Sequence, residues 1–233
     1  MILKFIKNRD FILFTIIFII LVAVGISNPN FVTLKSLSDV LTDTSILIIL
    51  ALSQMIVILI RAIDLSVASN LALSGMLISL LSQIYPDLPL IFFILLSCGI
   101  GTLLGLVNGL VIAVLKVPII VTTLGTLSIY RGLIYFVSDG KQVYSHEFSD
   151  SFLSFIHVRF LSLTSLFWFA VCVFIIIYIL LNYTKFGRNI YALGGNPEAA
   201  KYIGINENRY IIAAYVLSGF FAGLCGYLWV ARY

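Results

Sequence analysis

Apolar residues run along this chain in long blocks separated by short polar punctuation. The blocks lie near 11–26, 44–60, 63–83, 89–115, 118–138, 162–182 and 210–231. A bilayer core of about 30 Å takes about 20 mostly apolar residues per helix, so each block predicts a membrane-crossing helix, seven in all. The expected fold is therefore all-α, a polytopic helical membrane bundle, with residues 1–233 as one transmembrane domain. The second and third blocks are nearly continuous, broken only at Arg61-Ala62-Ile63-Asp64. That break predicts either a tight hairpin or a discontinuous pair whose ends lie inside protein.

The polar intervals fix the orientation. With a cytoplasmic amino terminus, alternating spans put Lys4, Lys7, Arg9, Arg61, Lys116, Lys185, Arg188, Lys201 and Arg209 inside and only Lys35, Lys141 and Arg159 outside. Such a bias is what the positive-inside rule requires. The first block follows a basic start and looks like a signal peptide, but Ser27-Asn28-Pro29-Asn30 offers no small-residue cleavage site, so it reads as a retained helix.

Composition agrees with a membrane setting: 61% of residues are hydrophobic and 10% charged, against about 25% charged in soluble domains. The net charge of +4 does not point to nucleic acid, because the basic residues flank apolar blocks and form no patch with stacking aromatics. Cys98, Cys172 and Cys225 all fall within apolar blocks, without zinc-like spacing. His146 and His157, in the outer segment Asp139–Leu161, stand eleven residues apart with only Glu147 and Asp150 near them, a poor metal or catalytic set.

The inner segment Asn182–Arg209 is richer. Asn196 suits an N-cap, Pro197 the first helical position, and Glu198 the positive end of a helix dipole, while Gly204 is a natural stop after Ile203. This spacing predicts a helix near 197–203, about 10 Å long, preceded by a flexible Gly194-Gly195 pair. So short a helix is marginal alone in water. It is either a plain connector or is held by neighbours, in its own domain or in a partner protein.

Three polar patterns lie within the spans. Ser66, Ser69, Asn70 and Ser74 run along the third block, where such a stripe either cements helices or lines a wet passage, and Asp64 is placed to cap that helix. Thr122, Thr123, Thr126 and Ser128 surround Gly125 in the fifth, a place for backbone loosening or close helix approach. Arg131 beside them must face protein, water or the outer interface. Gly101, Gly105 and Gly109 recur every four residues in the fourth, a face for tight packing. No phosphate-binding Gly-x-x-x-x-Gly-Lys-Ser/Thr loop, no His-Glu-x-x-His pair and no chain of buried carboxylates occurs, so the energy for any transport would have to come from elsewhere. An ion-coupled secondary transporter, the alternative reading, has only Arg131 and Asp64 as candidate ion-site residues. A membrane enzyme has only the outer-segment polar residues.

Three blocks, IDLSVASNLALSGM at 63–76, VPIIVTTLGTLSIYRG at 117–132 and FGRNIYALGGNPEAAKYIGI at 186–205, together with YVLSGFFAGLCGYLWVARY at 215–233, resemble the permease subunits of bacterial ATP-binding-cassette sugar importers of the ribose, rhamnose and autoinducer type. The resemblance implies a homo- or heterodimeric membrane core in the inner membrane, two cytoplasmic ATPase subunits that bind the ATP, and a periplasmic sugar-binding protein. The chain itself would bind no cofactor. Residues 183–209 would be the cytoplasmic coupling loop, with Gly194, Gly195, Asn196, Pro197, Glu198, Ala199, Ala200 and Gly204 as ATPase-coupling residues. Ser66, Ser69, Asn70, Thr122, Thr123, Thr126 and Arg131 are the candidates for the translocation path. Ala68 followed by SNLAL, SDGKQVYSHE at 138–147 and GLCGYLWVARY look most like rhamnose permeases. Family members have about ten spans, so seven imply that the carboxy-terminal helices are missing beyond Tyr233.

Overall fold

A computed structural model describes residues 9–28, 33–144 and 147–233; the side chains of Arg9, Asp10, Asp150, Ser151 and His157 are also left aside. Lys4, Lys7, Pro29, Asn30 and His146 lie outside the described residues. The helices are α1 (Arg9–Ser27), α2 (Leu34–Leu59), α3 (Val67–Ile84), α4 (Leu90–Ala113), α5 (Ile119–Ser138), α6 (Asp150–His157), α7 (Ser165–Tyr183), α8 (Lys185–Gly195), α9 (Pro197–Tyr202) and α10 (Glu207–Arg232). A two-strand hairpin, β1 (Arg159–Phe160) and β2 (Leu163–Thr164), lies between α6 and α7. Among the described residues, six helices, α2, α3, α4, α5, α7 and α10, are long and apolar enough to cross a membrane; the apolar stretch of α1, Phe11–Ser27, is shorter.

Two compact units divide the chain at Asp43 and Thr44. The first contains α1 and the opening turns of α2, whose residues Phe18, Leu21, Val22, Leu34 and Leu37 line an apolar cleft of about 520 Å³. In the second, α10 is the central element, packing along α4 and α3, with α5 against α3 and α7 against α8. Its core gathers Ile46, Ile49, Phe93, Phe152, Leu166, Ile177, Tyr227 and Leu228. A smaller core of Val57, Ala62, Ile112 and Tyr215 sits where α2 ends. Outward faces stay apolar, as at Leu95, Leu103 and Val107 of α4 and Ile175, Ile176 and Ile179 of α7, the surface that lipid tails satisfy. Cys98 and Cys225 are buried and Cys172 faces outward.

The axis of the second unit is a contact between glycine faces. Gly101 and Gly105 of α4 lie so close to α10 that a Cβ at either would stand 2.2–2.3 Å from the carbonyl oxygen of Gly219 or Tyr215. The expected packing face on α4 is therefore real, and its partner is the Tyr215, Gly219, Gly223 row on α10. Ser97 Oγ donates to the Gly223 carbonyl at 2.6 Å in the same seam. Gly125 shows the opposite: among the described residues a Cβ there would meet nothing within 4 Å, so none of the described helices approaches it.

Four features differ from the sequence reading. Helix α2 starts at Leu34, ten residues before the apolar block at 44, because Ser36, Ser38, Asp39, Thr42 and Asp43 are polar without breaking a helix. The segment 139–161 is partly ordered structure: Ser149 caps α6 by accepting the Phe152 N–H, and Phe152 and Ile156 are buried. Leu161 and Ser162 turn the hairpin with φ of 51° and 65°. Glu147, weighed as a loop polar residue, accepts from Gln83 Nε2 and from the Tyr144 N–H, both at 2.9 Å, and so ties the outer segment to α3. Gly194 and Gly195 form no flexible pair. They are the last turn of α8.

Candidate functional site

The short helix comes first because its local chemistry is complete. Asn196 Oδ1 accepts the Ala199 N–H at 3.1 Å, Pro197 occupies the first turn with Glu198, and Ile203 ends the helix. Gly204 follows with φ +84°, the left-handed conformation that a residue without Cβ adopts freely. Ala200 is buried at 2% exposure and anchors α9 to the body, whereas Tyr202 at 91% and Ile203 at 74% stand out into solvent. Two large apolar side chains at the tip of a polar segment form a projecting knob that one chain alone leaves uncovered.

Behind the knob, α8 is seated by three contacts. Gly187 lies so near Leu181 that a Cβ would stand 1.9 Å from its carbonyl oxygen, which allows the tight reversal from α7. Phe186 and Asn189 both meet Tyr210 of α10, the first ring to ring and the second by an amide donating to the hydroxyl. At its far end α8 rests on the end of α2: a Cβ on Gly194 would stand 1.9 Å from the Leu59 carbonyl oxygen. There Arg61 reaches across, Nε donating to the Gly194 carbonyl and Nη2 to that of Gly195, both at 2.6 Å. Sequence reading missed this contact and used Arg61 only as a topology charge.

Arg61 belongs to an elbow, residues 60–66, where α2 gives way to α3. Of the two alternatives for the break, the discontinuous pair is observed: Ala62 and Asp64 are buried at 3% and 4% exposure. The backbone of Arg61 is left-handed, with φ 59°, which costs about 1–2 kcal/mol in a residue with a Cβ. The freed carbonyl of Ile63 accepts from Tyr215 Oη of α10 at 3.3 Å and lies 3.5 Å from Thr123 Oγ1 of α5. Asp64 does not itself occupy the cap position of α3. Ser66 does, and Asp64 Oδ1 accepts both the Ser66 N–H at 2.9 Å and its hydroxyl at 2.6 Å. Burial pushes the Asp64 carboxyl above its ordinary value, opposed by these two bonds from Ser66.

The polar stripe of α3 cements helices. Asn108 Nδ2 of α4 donates to Ser66 Oγ at 2.8 Å, Asn70 Nδ2 donates to the Gly101 carbonyl at 3.1 Å, and Ser74 Oγ donates to Asn70 Oδ1 at 3.2 Å. Asn108 Oδ1 is buried and has no hydrogen-bond partner among the described residues. Thr122, Thr123 and Thr126 are buried, and their hydroxyls turn back to carbonyls of the preceding turn of α5. Of the seven residues considered for a path, Ser69 and Arg131 line a cleft of about 310 Å³ completed by Ala68, Ala72, Ile134 and Tyr135. Arg131 is exposed and has no hydrogen-bond or ion-pair partner among the described residues.

Comparison with known proteins decides the class. Residues 36–233 match the family model described as branched-chain amino acid transport system / permease component. The chain belongs to this family of transport permeases. It is 33% identical to the galactose/methyl galactoside import permease protein MglC of Haemophilus influenzae, over 97% of this chain and 74% of that protein. It is 35% identical to the ribose import permease protein RbsC of the same organism, over 97% of this chain and 69% of the relative. The autoinducer 2 import system permease protein LsrC of Klebsiella pneumoniae is 34% identical over 97% of this chain and 64% of its own length. No solved structure matches the chain. The chain is thus a multi-pass membrane permease.

Proposed function

We propose that this permease is the membrane-spanning subunit of an ATP-binding-cassette importer that passes a monosaccharide inward across the bacterial inner membrane. Cytoplasmic ATPase subunits bind and hydrolyse the ATP, a second permease subunit completes the channel, and a periplasmic binding protein delivers the sugar. The observation that carries this reading is the α9 knob, a capped helix about 9 Å long that holds Tyr202 and Ile203 out into solvent. Its end of the second unit also gathers Arg61, Lys116, Lys185, Arg188, Lys201 and Arg209, with Lys116 Nζ bonded to Asn208. That concentration of positive charge supports a cytoplasmic position for the knob and the amino terminus, within reach of an ATPase. Gly194 to Ala200 and Gly204 then serve as the coupling segment.

The named relatives are import permeases for galactose and methyl galactoside, ribose, and autoinducer 2, which supports a sugar in place of the amino acids of the family's description. Among sugars, Ala68 with SNLAL and the 138–147 stretch favour rhamnose. The path takes the cleft of Ser69 and Arg131, since a guanidinium at this depth of α5 needs water, a polar cargo or a protein partner and not lipid. Uptake of labelled rhamnose, galactose, ribose and allose by vesicles holding the permease, its ATPase and its binding protein tests the reading. ATP-dependent uptake that Glu198→Arg abolishes while membrane insertion stays normal is expected. Uptake that continues without the ATPase and collapses with an ion gradient, or a reporter fused at Asn196 emerging on the periplasmic side, would overturn it.

A further inference from the structure

We propose that Arg61 is the positioning residue that conveys movement of the coupling segment into the membrane bundle, by latching the last turn of α8 to the α2–α3 elbow. The inference rests on the coupling role proposed for α9. Chain connectivity alone would pass a push on α9 to α8 and α10, its neighbours in sequence, and through α8 to α7. The structure contains a third connection, 133 and 134 residues away along the chain, in which one guanidinium forks onto two successive carbonyls, Gly194 and Gly195, immediately before the Asn196 cap. Those carbonyls are the unpaired acceptors at the negative end of α8, where a cation with two parallel donors binds best. Gly194 lets backbone lie on backbone at the same point, against the Leu59 carbonyl. Nothing soft separates α9 from the elbow.

The elbow in turn contacts every span that packs around it. Ile63 receives Tyr215 of α10 and faces Thr123 of α5, and Ser66 receives Asn108 of α4. A displacement of α8 by even part of a hydrogen-bond length therefore reaches α3, α4, α5 and α10 at one place. Arg61 itself is exposed, so its loss removes the latch without opening the core, and the strained φ of 59° persists at a residue that the surroundings hold in place.

The test uses the full permease with its ATPase and binding protein in lipid vesicles, reading ATP hydrolysed, labelled sugar taken up, and ATPase retained on purification. Arg61→Gln and Gly194→Ala attack the latch from its two sides. Arg61→Gln is expected to retain the ATPase and hydrolyse ATP while sugar moved per ATP falls about tenfold, Gly194→Ala is expected to lower the same ratio, and Arg61→Lys, which keeps charge but loses the fork, is expected to fall between wild type and Arg61→Gln. An unchanged ratio in Arg61→Gln overturns the latch; should that variant not accumulate, a wild-type ratio in Arg61→Lys does so instead. Tyr202→Ala separates the two proposals. Normal ATPase retention and uptake in Tyr202→Ala refutes the docking role of α9, whereas a defect there beside a normal Arg61→Gln refutes the latch alone.

Discussion

Gly101→Ala tests whether the α4–α10 seam is the rigid axis of the bundle. The added methyl carbon would stand 2.3 Å from the Gly219 carbonyl oxygen and 2.6 Å from the Gly223 Cα. Ordinary van der Waals separation begins near 3.4 Å, so the helices must part by about 1 Å along a seam packed as densely as a crystal. Overfilling of this kind costs about 1–3 kcal/mol, and every Cα–H···O interaction broken as the two helices separate adds about 0.5–1 kcal/mol. Better helix propensity returns about 1 kcal/mol. The net expectation is destabilisation by about 1–3 kcal/mol, large against the few tenths to two kcal/mol typical of single interactions between membrane helices. Gly99→Ala and Gly125→Ala are the matched controls, because nothing lies within 4 Å of a Cβ at either position. They gain the propensity with no packing penalty, so they should melt at or slightly above the wild-type temperature. Thermal unfolding of the three variants in one detergent gives the order directly. Gly101→Ala melting level with Gly125→Ala would refute the claim that this seam excludes a methyl group.

Three further outcomes follow from the site. Asn70→Leu strips the Gly101 carbonyl and Ser74 of their partner and should cost about 1–2 kcal/mol in the same melt; an unchanged midpoint would show that the stripe does not cement α3. Asp64→Asn keeps the acceptor for Ser66 but cannot ionise: because burial raises the native carboxyl above its ordinary 3.8, wild-type stability should be greatest below that pH, decline as pH rises from there to the native value and level off above it, whereas the variant should be flat. Thermal scans from acid to neutral pH that fall equally in both proteins would count against a raised Asp64. Gly204→Val forces a branched side chain into φ +84°, costing about 1–2 kcal/mol locally, so faster amide exchange at the end of α9 is expected with the spans unaffected.

Much of this architecture was legible because local chemistry specified it. Asn196, Pro197, Glu198 and Gly204 each constrain one end of α9, and no distant residue is needed to place them. The apolar blocks likewise marked the spans, and the spacing of Gly101, Gly105 and Gly109 marked the face α4 packs with. What stayed hidden depended on partners remote in sequence. Gly194 and Gly195 read as a flexible pair because glycine disfavours helix interiors, yet Gly194 is required inside α8 by the Leu59 backbone, an approach no spacing reveals. The polar start of α2 read as a loop because polarity was taken for a boundary, although Ser36, Asp39 and Asp43 interrupt no helical hydrogen bond. The serine and asparagine stripe of α3 was ambiguous in principle: cement and pore lining use the same side chains, and the hydrogen bonds exchanged with α4 through Asn108 and the Gly101 carbonyl separate them.

Two kinds of union divide the bundle mechanically. Where α4 meets α10, backbone touches backbone through glycine, and any relative slide drives carbonyl oxygens into Cα atoms, so the pair moves as one body. At the elbow the union is made by side-chain hydroxyls and amides on a short irregular backbone, through Thr123, Tyr215 and Asn108. Such bonds tolerate changes of angle, and exchanging one acceptor for another costs little where several lie close. Asn108 Oδ1, buried and without a partner among the described residues, is an acceptor of that kind beside Ser66. A force arriving from α9 would therefore leave the glycine seam intact and turn it as a unit about the elbow, with α5, held to α3 more lightly, free to follow a different course. The cleft of Ser69 and Arg131 lies between α3 and α5, so that difference in course is what would change its width.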